Sequence, residues 1–432
     1  MESQLSKFSK LSFLVAVLFG IGLIRLWPHY DANAKFPEHP EAIHLARSLA
    51  FHHQFADPFR LVATGPSAYL SPAFPSFLAL LIRVFGTGAE ADFAFRLAAA
   101  MATAAQLALL PLLTEIMGIR ISTGILACAV GLLPPILTFP DWEMSYAGLL
   151  IVLATILFWI VLTKPQAGLG ASALLGFVSG LLLLTSASVL PVLTVWFGYG
   201  IWKFRSDFLR RGRWAAAAIV LVMLTPWIVR NYLVFHRFIP FRTALGLALE
   251  ASNNDCALVG VRQSEANGCF GQHSPNHNFA EAVRARDLGE PEYTSEKFHE
   301  TLQWVKGHPR RFLVLTCERI VAFWLPHESD SLLQEFSRPN SRRKERLMIY
   351  LGTILSLPGL VLMLRFRREA GLILGAWLVF FPPVYYIALF EDRYRYPILW
   401  VTLVFAGYAI RWAATKLPDW HRGKSAAVVS PT

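Results

Sequence analysis

Long apolar runs separated by short polar joints make up most of this chain, and that rhythm breaks twice into long polar intervals. Runs near the bilayer-spanning length of about 20 residues fall at 11–27, 91–117, 121–139, 145–162, 169–186, 189–202, 214–229, 347–364, 371–389 and 398–414. The pattern predicts an all-α polytopic membrane protein, a bundle of about ten transmembrane helices. The expected organisation is an N-terminal membrane region, 1–229, whose first outer loop covers 28–90. A second outer loop with surface helices follows at 230–346, then C-terminal spans at 347–415 and a cytoplasmic tail at 416–432.

The polar intervals carry helical signals of their own. Over 40–53, Ala42, Leu45, Ala46 and Leu49 share one face, and Glu41, His44, Arg47, Ser48 and His52 share the other. That suits an amphipathic helix lying in the membrane interface. The stretch 72–85 is apolar but too short to span, which predicts a second surface or re-entrant helix. The segment 311–325, RFLVLTCERIVAFWL, is apolar enough to resemble a span. It contains Glu318 and Arg319, both costly at mid-bilayer, and reads instead as a surface helix on the outer side. This leaves the basic cluster from Arg342 to Arg346 outside, where long segments obey the positive-inside tendency only weakly.

Composition agrees with the pattern. Of 432 residues, 55% are hydrophobic and 16% charged, against about 25% charged in soluble proteins; the mean hydropathy is +0.45. The net charge of +11 does not point to nucleic acid, because the basic residues sit in short joints such as KFRSDFLRRGR at 203–213. Such joints orient spans and meet anionic head groups. They predict cytoplasmic termini and polar intervals on the outer face. The first apolar run has no small-residue cleavage site after it and reads as a retained span. Cys128 and Cys317 lie in apolar or half-apolar helices, whereas Cys256 and Cys269 share one polar loop. They would form a disulfide if that loop faces an oxidising compartment.

The candidate chemistry lies at span ends and in the polar intervals. Glu41 follows Pro40 at a helix start, where the helix dipole favours an ionised carboxylate. It suits a general base, and equally plain helix-end electrostatics. Asp31 and Asp57 compete in the same loop, and Asp57, before Pro58, has the setting of a turn residue. EDRYRYP at 391–397 puts Arg393 and Arg395 beside the start of the last span. That suits a phosphate site, with Tyr394 and Tyr396 as lining, or an aromatic belt with snorkelling arginines. Arg230 and Asn231 end another span, as a second cation and lining residue or as a helix stop. Tyr69 is a further lining candidate, and Asp141 and Glu143 are outer carboxylates without an assigned role. Cys269, His273 and His277 have helical ligand spacing, which Pro275 interrupts. No HExxH, Walker loop or nucleophile elbow is present. No DxD pair suited to a nucleotide-sugar metal is present either.

Taken in order, these stretches resemble the GT-C glycosyltransferases that use polyprenyl-phosphate sugars. The branch is that of protein O-mannosyltransferases and the lipid A aminoarabinose transferase, in its bacterial form. The resemblance rests on HPEAIHLARSLA, SPAFPSFLALLIRVFG, TPWIVRNY, HPRRFLVLTCERIVAFW and EDRYRYPI. It covers nearly the whole chain. The family's early loop acid falls on Glu41, although many members carry Asp or an Asp-Glu pair there. It implies an inverting transferase on the outer face of the plasma membrane, moving a sugar from a polyprenyl-phosphate carrier to a protein, lipid or glycan acceptor. Arg393, Arg395 and Arg230 would hold the donor phosphate. No cofactor is implied, and a divalent metal is left open. The competing function is a lipid or polysaccharide transporter, which would more often show paired repeats and broken helices at mid-membrane.

Overall fold

The computed structural model describes residues 2–33, 41–133, 142–164, 168–203, 214–326, 339–388 and 390–426. Asp141 and the last six residues of the expected span 121–139 lie outside these. Among the described residues all regular structure is helical, apart from two isolated β-bridges, Ala56 with Pro66 and Gly260 with Phe390. In chain order the helices begin with α1 (Glu2–Leu26), α2 (Glu41–His52), α3 (Ala73–Phe85), α4 (Ala89–Ala108) and α5 (Leu110–Ile116). Next are α6 (Ile121–Leu132), α7 (Met144–Thr163), α8 (Leu169–Thr185), α9 (Leu190–Lys203) and α10 (Trp214–Phe235). The second polar interval holds α11 (Leu245–Glu250), α12 (Val261–Ala266), α13 (Cys269–His273), α14 (Phe279–Leu288), α15 (Glu290–Gly307) and α16 (Pro309–Trp324). The chain closes with α17 (Pro339–Phe366), α18 (Arg368–Phe380), α19 (Pro383–Ile387) and α20 (Tyr396–Ala426).

Seven helical stretches are long and apolar enough to cross a membrane: Ser9–Leu26, Ala89–Ile116, Met144–Thr163, Trp214–Phe235, Arg346–Phe366, Arg368–Ile387 and Asp392–Lys416. They coincide with seven of the ten expected spans, and α6, α8 and α9 occupy the other three positions as shorter helices. The chain is a multi-pass membrane protein.

Inside a bilayer, helices associate through close packing and interhelical hydrogen bonds, because lipid is as apolar as their side chains. The bundle centre shows both. Trp196 stacks on Phe158 with ring centroids 4.6 Å apart and meets Trp377 edge-on at 5.0 Å. The Trp377 indole N–H donates to Thr155 Oγ1 at 3.1 Å. Gly359 on α17 faces the Phe405 carbonyl of α20 so closely that a methyl group there would collide with backbone. A small residue is thus what lets these two helices touch.

The expected surface helix at 72–85 is α3, and the amphipathic helix at 40–53 is α2. The two pack on each other through Ala42, Ile43, Ala46, Phe74, Leu78 and Ile82. The segment that resembled a span is α16, and Arg319 explains its placement. Its side chain is fully buried and donates to the carbonyls of Ser252, Leu258 and Ile387 and to Asn253 Oδ1. Burial lowers the Arg319 guanidinium to about 10. An arginine so used ties α16 to the second polar interval and to the end of α19.

Candidate functional site

Both polar intervals and the turn before α20 meet at one end of the bundle. The first interval folds back on itself over 55–67. Asp57 N donates to Gly65 O and Ser67 N to Phe55 O, each at 2.9 Å. Asp57 has φ 58° and Gly65 φ 79°, the left-handed region that Asp and Gly tolerate best. Asp57 Oδ1 also accepts from Gly65 N at 2.8 Å. Asp57 is thus held as a turn residue by its own loop.

The half-buried Arg230 and the buried Glu290 pin this hairpin to the rest of the molecule. Arg230 donates to Ser67 O at 2.6 Å, to Phe55 O at 2.9 Å and to Asn231 Oδ1 at 2.9 Å. Its guanidinium lies among the rings of Phe55, Trp227 and Phe235. Glu290 Oε1 accepts from Ala68 N at 2.7 Å and Thr243 Oγ1 at 2.6 Å. Burial raises the Glu290 carboxyl, against the pull of its hydrogen bonds and of Arg230. Thr243 N then donates to Ala68 O at 2.9 Å, which brings Arg242 beside Tyr69.

Tyr69 is where the distant motifs converge. Burial first, then the negative charge of Glu41, holds its phenol well above the ordinary value, while Arg242 pulls it down. Glu290 and Tyr394 act on the same hydroxyl. Tyr394 stacks on Tyr385 with centroids 4.4 Å apart, and the Tyr385 hydroxyl donates to Ser188 Oγ at 2.9 Å. Glu143, at the start of α7, acts electrostatically on Tyr385 and Tyr394, and Arg242 acts on Tyr385. Glu41, Tyr69, Arg242, Tyr394, Tyr385 and Glu143 are thus linked electrostatically, and this group is called the polar cluster below. Glu41 opens α2, and its Oε1 accepts from Asn276 Nδ2 at 2.7 Å.

The expected phosphate-binding arginines have other employment. Arg395, 1% exposed, donates to Phe323 O at 2.6 Å and to Asp392 Oδ1 at 3.3 Å. Arg393 lies flat on the Trp142 ring, 3.1 Å from its centroid, and is paired with Glu391. Arg230 holds the 55–67 hairpin, as above. Each guanidinium is engaged by protein acceptors or rings, although among the described residues the buried Nε atoms of Arg393 and Arg395 have no hydrogen-bond partner. Asn231 is fully buried and spends its amide on Ile239 O and Arg230. Tyr396 begins α20 and is half-buried. Arg395→Ala is expected to cost about 1.5–3 kcal/mol of stability, the loss of charged hydrogen bonds in a buried setting. A lowered unfolding midpoint of the purified protein checks it, and an unchanged midpoint refutes it.

Arg242 was invisible to the sequence reading. Among the described residues its side chain has neither a hydrogen bond nor an ion pair, and it is half-buried. A lone arginine at this depth beside a phenol and a carboxylate is suited to an anionic ligand. Its only sequence signal is position, twelve residues after the second polar interval begins, in IPFRT.

Cys256 and Cys269 form a disulfide with Cα atoms 5.7 Å apart. His273 lies beside it, and the hydrogen bond of its Nδ1 with Glu250 raises the imidazole above its ordinary value, against burial. These two sulfurs and His273 are close enough together to suggest a metal, yet sulfurs bonded to each other are not thiolate ligands. His277, the remaining member of the expected ligand spacing, is exposed and stacks edge-on with Phe270. Thiol reagents are expected to label Cys256 and Cys269 only after reduction. Labelling of both without reductant would exclude the bond.

No protein-family model matches the sequence, and no curated protein matches it. Solved structures do. The apo oligosaccharyltransferase of Archaeoglobus fulgidus aligns with TM-score 0.56 and 13% identity, over 98% of this chain and 52% of that one. The same archaeal enzyme, AglB, in complex with an inhibitory peptide and a dolichol-phosphate gives 0.53 and 12%, over 99% and 53%. ArnT from Cupriavidus metallidurans bound to undecaprenyl phosphate gives 0.40 and 12%, over 93% and 78%. The chain thus spans about half the length of the oligosaccharyltransferase it matches. At such identities the likeness is one of fold: this chain has the GT-C membrane fold.

Proposed function

We propose that this protein is a glycosyltransferase that moves a sugar from a polyprenyl-phosphate carrier to an acceptor, with inversion, on the outer face of the plasma membrane. The observation that carries the reading is Tyr69, whose phenol is acted on by Glu41 from the first polar interval and by Tyr394 from the turn before α20. On this reading an acid near one end of the chain and the aromatic, arginine-rich turn near the other serve one site. The fold shared with an enzyme solved with a dolichol-phosphate adds support.

The chemistry is a single displacement. An acceptor hydroxyl or amine attacks the anomeric carbon, and its proton passes to Glu41. The bond between that carbon and the phosphate oxygen breaks, and its electron pair leaves on the lipid phosphate. Arg242 stabilises the charge that grows there, and stabilisation of developing charge is the largest single contribution in many enzymes. The acceptor is a protein, lipid or glycan group.

The test is to incubate the purified protein with a panel of polyprenyl-phosphate sugars and candidate acceptors, and to follow both by mass spectrometry. Loss of sugar from one carrier with gain on an acceptor is the expected result. A transporter would leave every donor intact, and that outcome would overturn the reading.

A further inference from the structure

The turn that follows α13 reaches across to Glu41, and one side chain makes the connection. Asn276 Nδ2 donates to Glu41 Oε1 at 2.7 Å. Asn276 Oδ1 accepts from Arg60 N at 3.2 Å, and the Asn276 carbonyl accepts from Arg60 Nε at 2.8 Å. The backbone N–H of Arg60 can only donate, so it fixes which end of the carboxamide is oxygen. The amide nitrogen must then face the carboxylate.

The turn itself is anchored on both sides. Asn276 N donates to Ser274 Oγ at 3.3 Å, and His277 N and Asn278 N donate to Ser274 O at 2.9 and 2.8 Å. Upstream, α13 starts at the disulfide and ends at the His273–Glu250 pair. Downstream, Asn278 Oδ1 caps α14 by accepting from Ala280 N at 2.9 Å. Asn276 is therefore presented by a rigid element from another part of the chain.

We propose that Asn276 is the positioning residue for Glu41, orienting the carboxylate by a neutral hydrogen bond so that it can take the acceptor's proton. This rests on Glu41 acting as the base. Neutrality matters: an arginine or lysine in that place would pair with the carboxylate and quench its basicity. Among the charged or titratable groups nearby are Arg60, held by Asn276 itself, and the Tyr69 phenol, which Arg242 also influences.

Asn276→Asp tests this with little change of shape, since it keeps an acceptor for Arg60 and replaces the donor. In the transfer assay kcat is expected to fall about tenfold or more, with KM for the donor lipid within about twofold. The acid limb of the pH–kcat profile moves up by at least about one unit, because adjacent carboxylates share a proton. Asn276→Ala, which only removes the donor, moves it up by about one unit. Glu41→Gln combined with Asn276→Asp is no slower than Glu41→Gln alone, as for residues acting as a unit.

A loss of rate equal at every pH, or effects that add in the double variant, would assign Asn276 a merely structural part and overturn the proposal. Normal turnover in Glu41→Gln would instead overturn the assignment of the base. Carbodiimide modification of Glu41, followed against pH by peptide mass spectrometry, gives a readout independent of turnover. Its midpoint is expected to move upward in Asn276→Asp, and an unmoved midpoint refutes the contact.

Discussion

Glu41→Gln is expected to reduce sugar transfer by about 10²–10⁴-fold, the contribution of a positioned general base. The substitution keeps the size of the side chain and can still meet Asn276 through its amide, so the start of α2 should be preserved. What it removes is the one group in the cluster that opens a helix, carries a carboxylate and touches the turn from the second interval. Donor lipid should bind as before, because the base acts on the acceptor's proton and not on the phosphate. A fall in kcat with little change in donor affinity marks an interaction made in the transition state. Donor affinity by lipid titration and single-turnover transfer by mass spectrometry check the two halves separately. Wild-type turnover would remove Glu41 from the chemistry and leave helix-end electrostatics as its role.

Arg242→Ala is expected to lower kcat/KM by about 10²–10³-fold, the cost of deleting one charge-stabilising donor at a developing anion. It should also weaken binding of the lipid phosphate, which separates it from Glu41→Gln. Arg242 makes no bond to its own protein among the described residues, so its removal should leave the unfolding midpoint close to wild type. The contrast with Arg395→Ala is the decisive comparison. Arg395 holds Phe323 O and Asp392, and its loss should appear first as lost stability. Arg242→Lys keeps the charge without the planar fork and should restore part of the rate. Unchanged donor affinity in Arg242→Ala would return the phosphate to the turn before α20.

Much of the architecture was legible from the chain alone. Spanning runs announce themselves because every backbone group in lipid must be satisfied within the helix, leaving apolar side chains as the only choice. The helix opened by Glu41, the short helix within 72–85 and the helix within 311–325 all followed from periodicity and length. Within the site, Glu41, Tyr69 and Tyr394 were named from the sequence and occur together. Arg393, Arg395, Arg230 and Asn231 were also named, and the contacts make them supports. Asn276 and Arg242 were missed: SPN looks like any turn, and one arginine among many carries no mark.

The sequence by itself determined that this protein crosses a membrane many times, that its polar groups gather in two intervals and one late turn, and that a single early acid opens a helix there. Local periodicity and transfer energies are properties of neighbouring residues, so they are written in order along the chain. Only the tertiary structure decided which cations are committed to the protein. A guanidinium is committed when carbonyls and carboxylates lie about 3 Å from it, and for Arg395 and Arg230 those acceptors come from Phe323, Ser67 and Phe55, far away in sequence. The same holds for the amide that meets Glu41, which arrives from Asn276 across the fold.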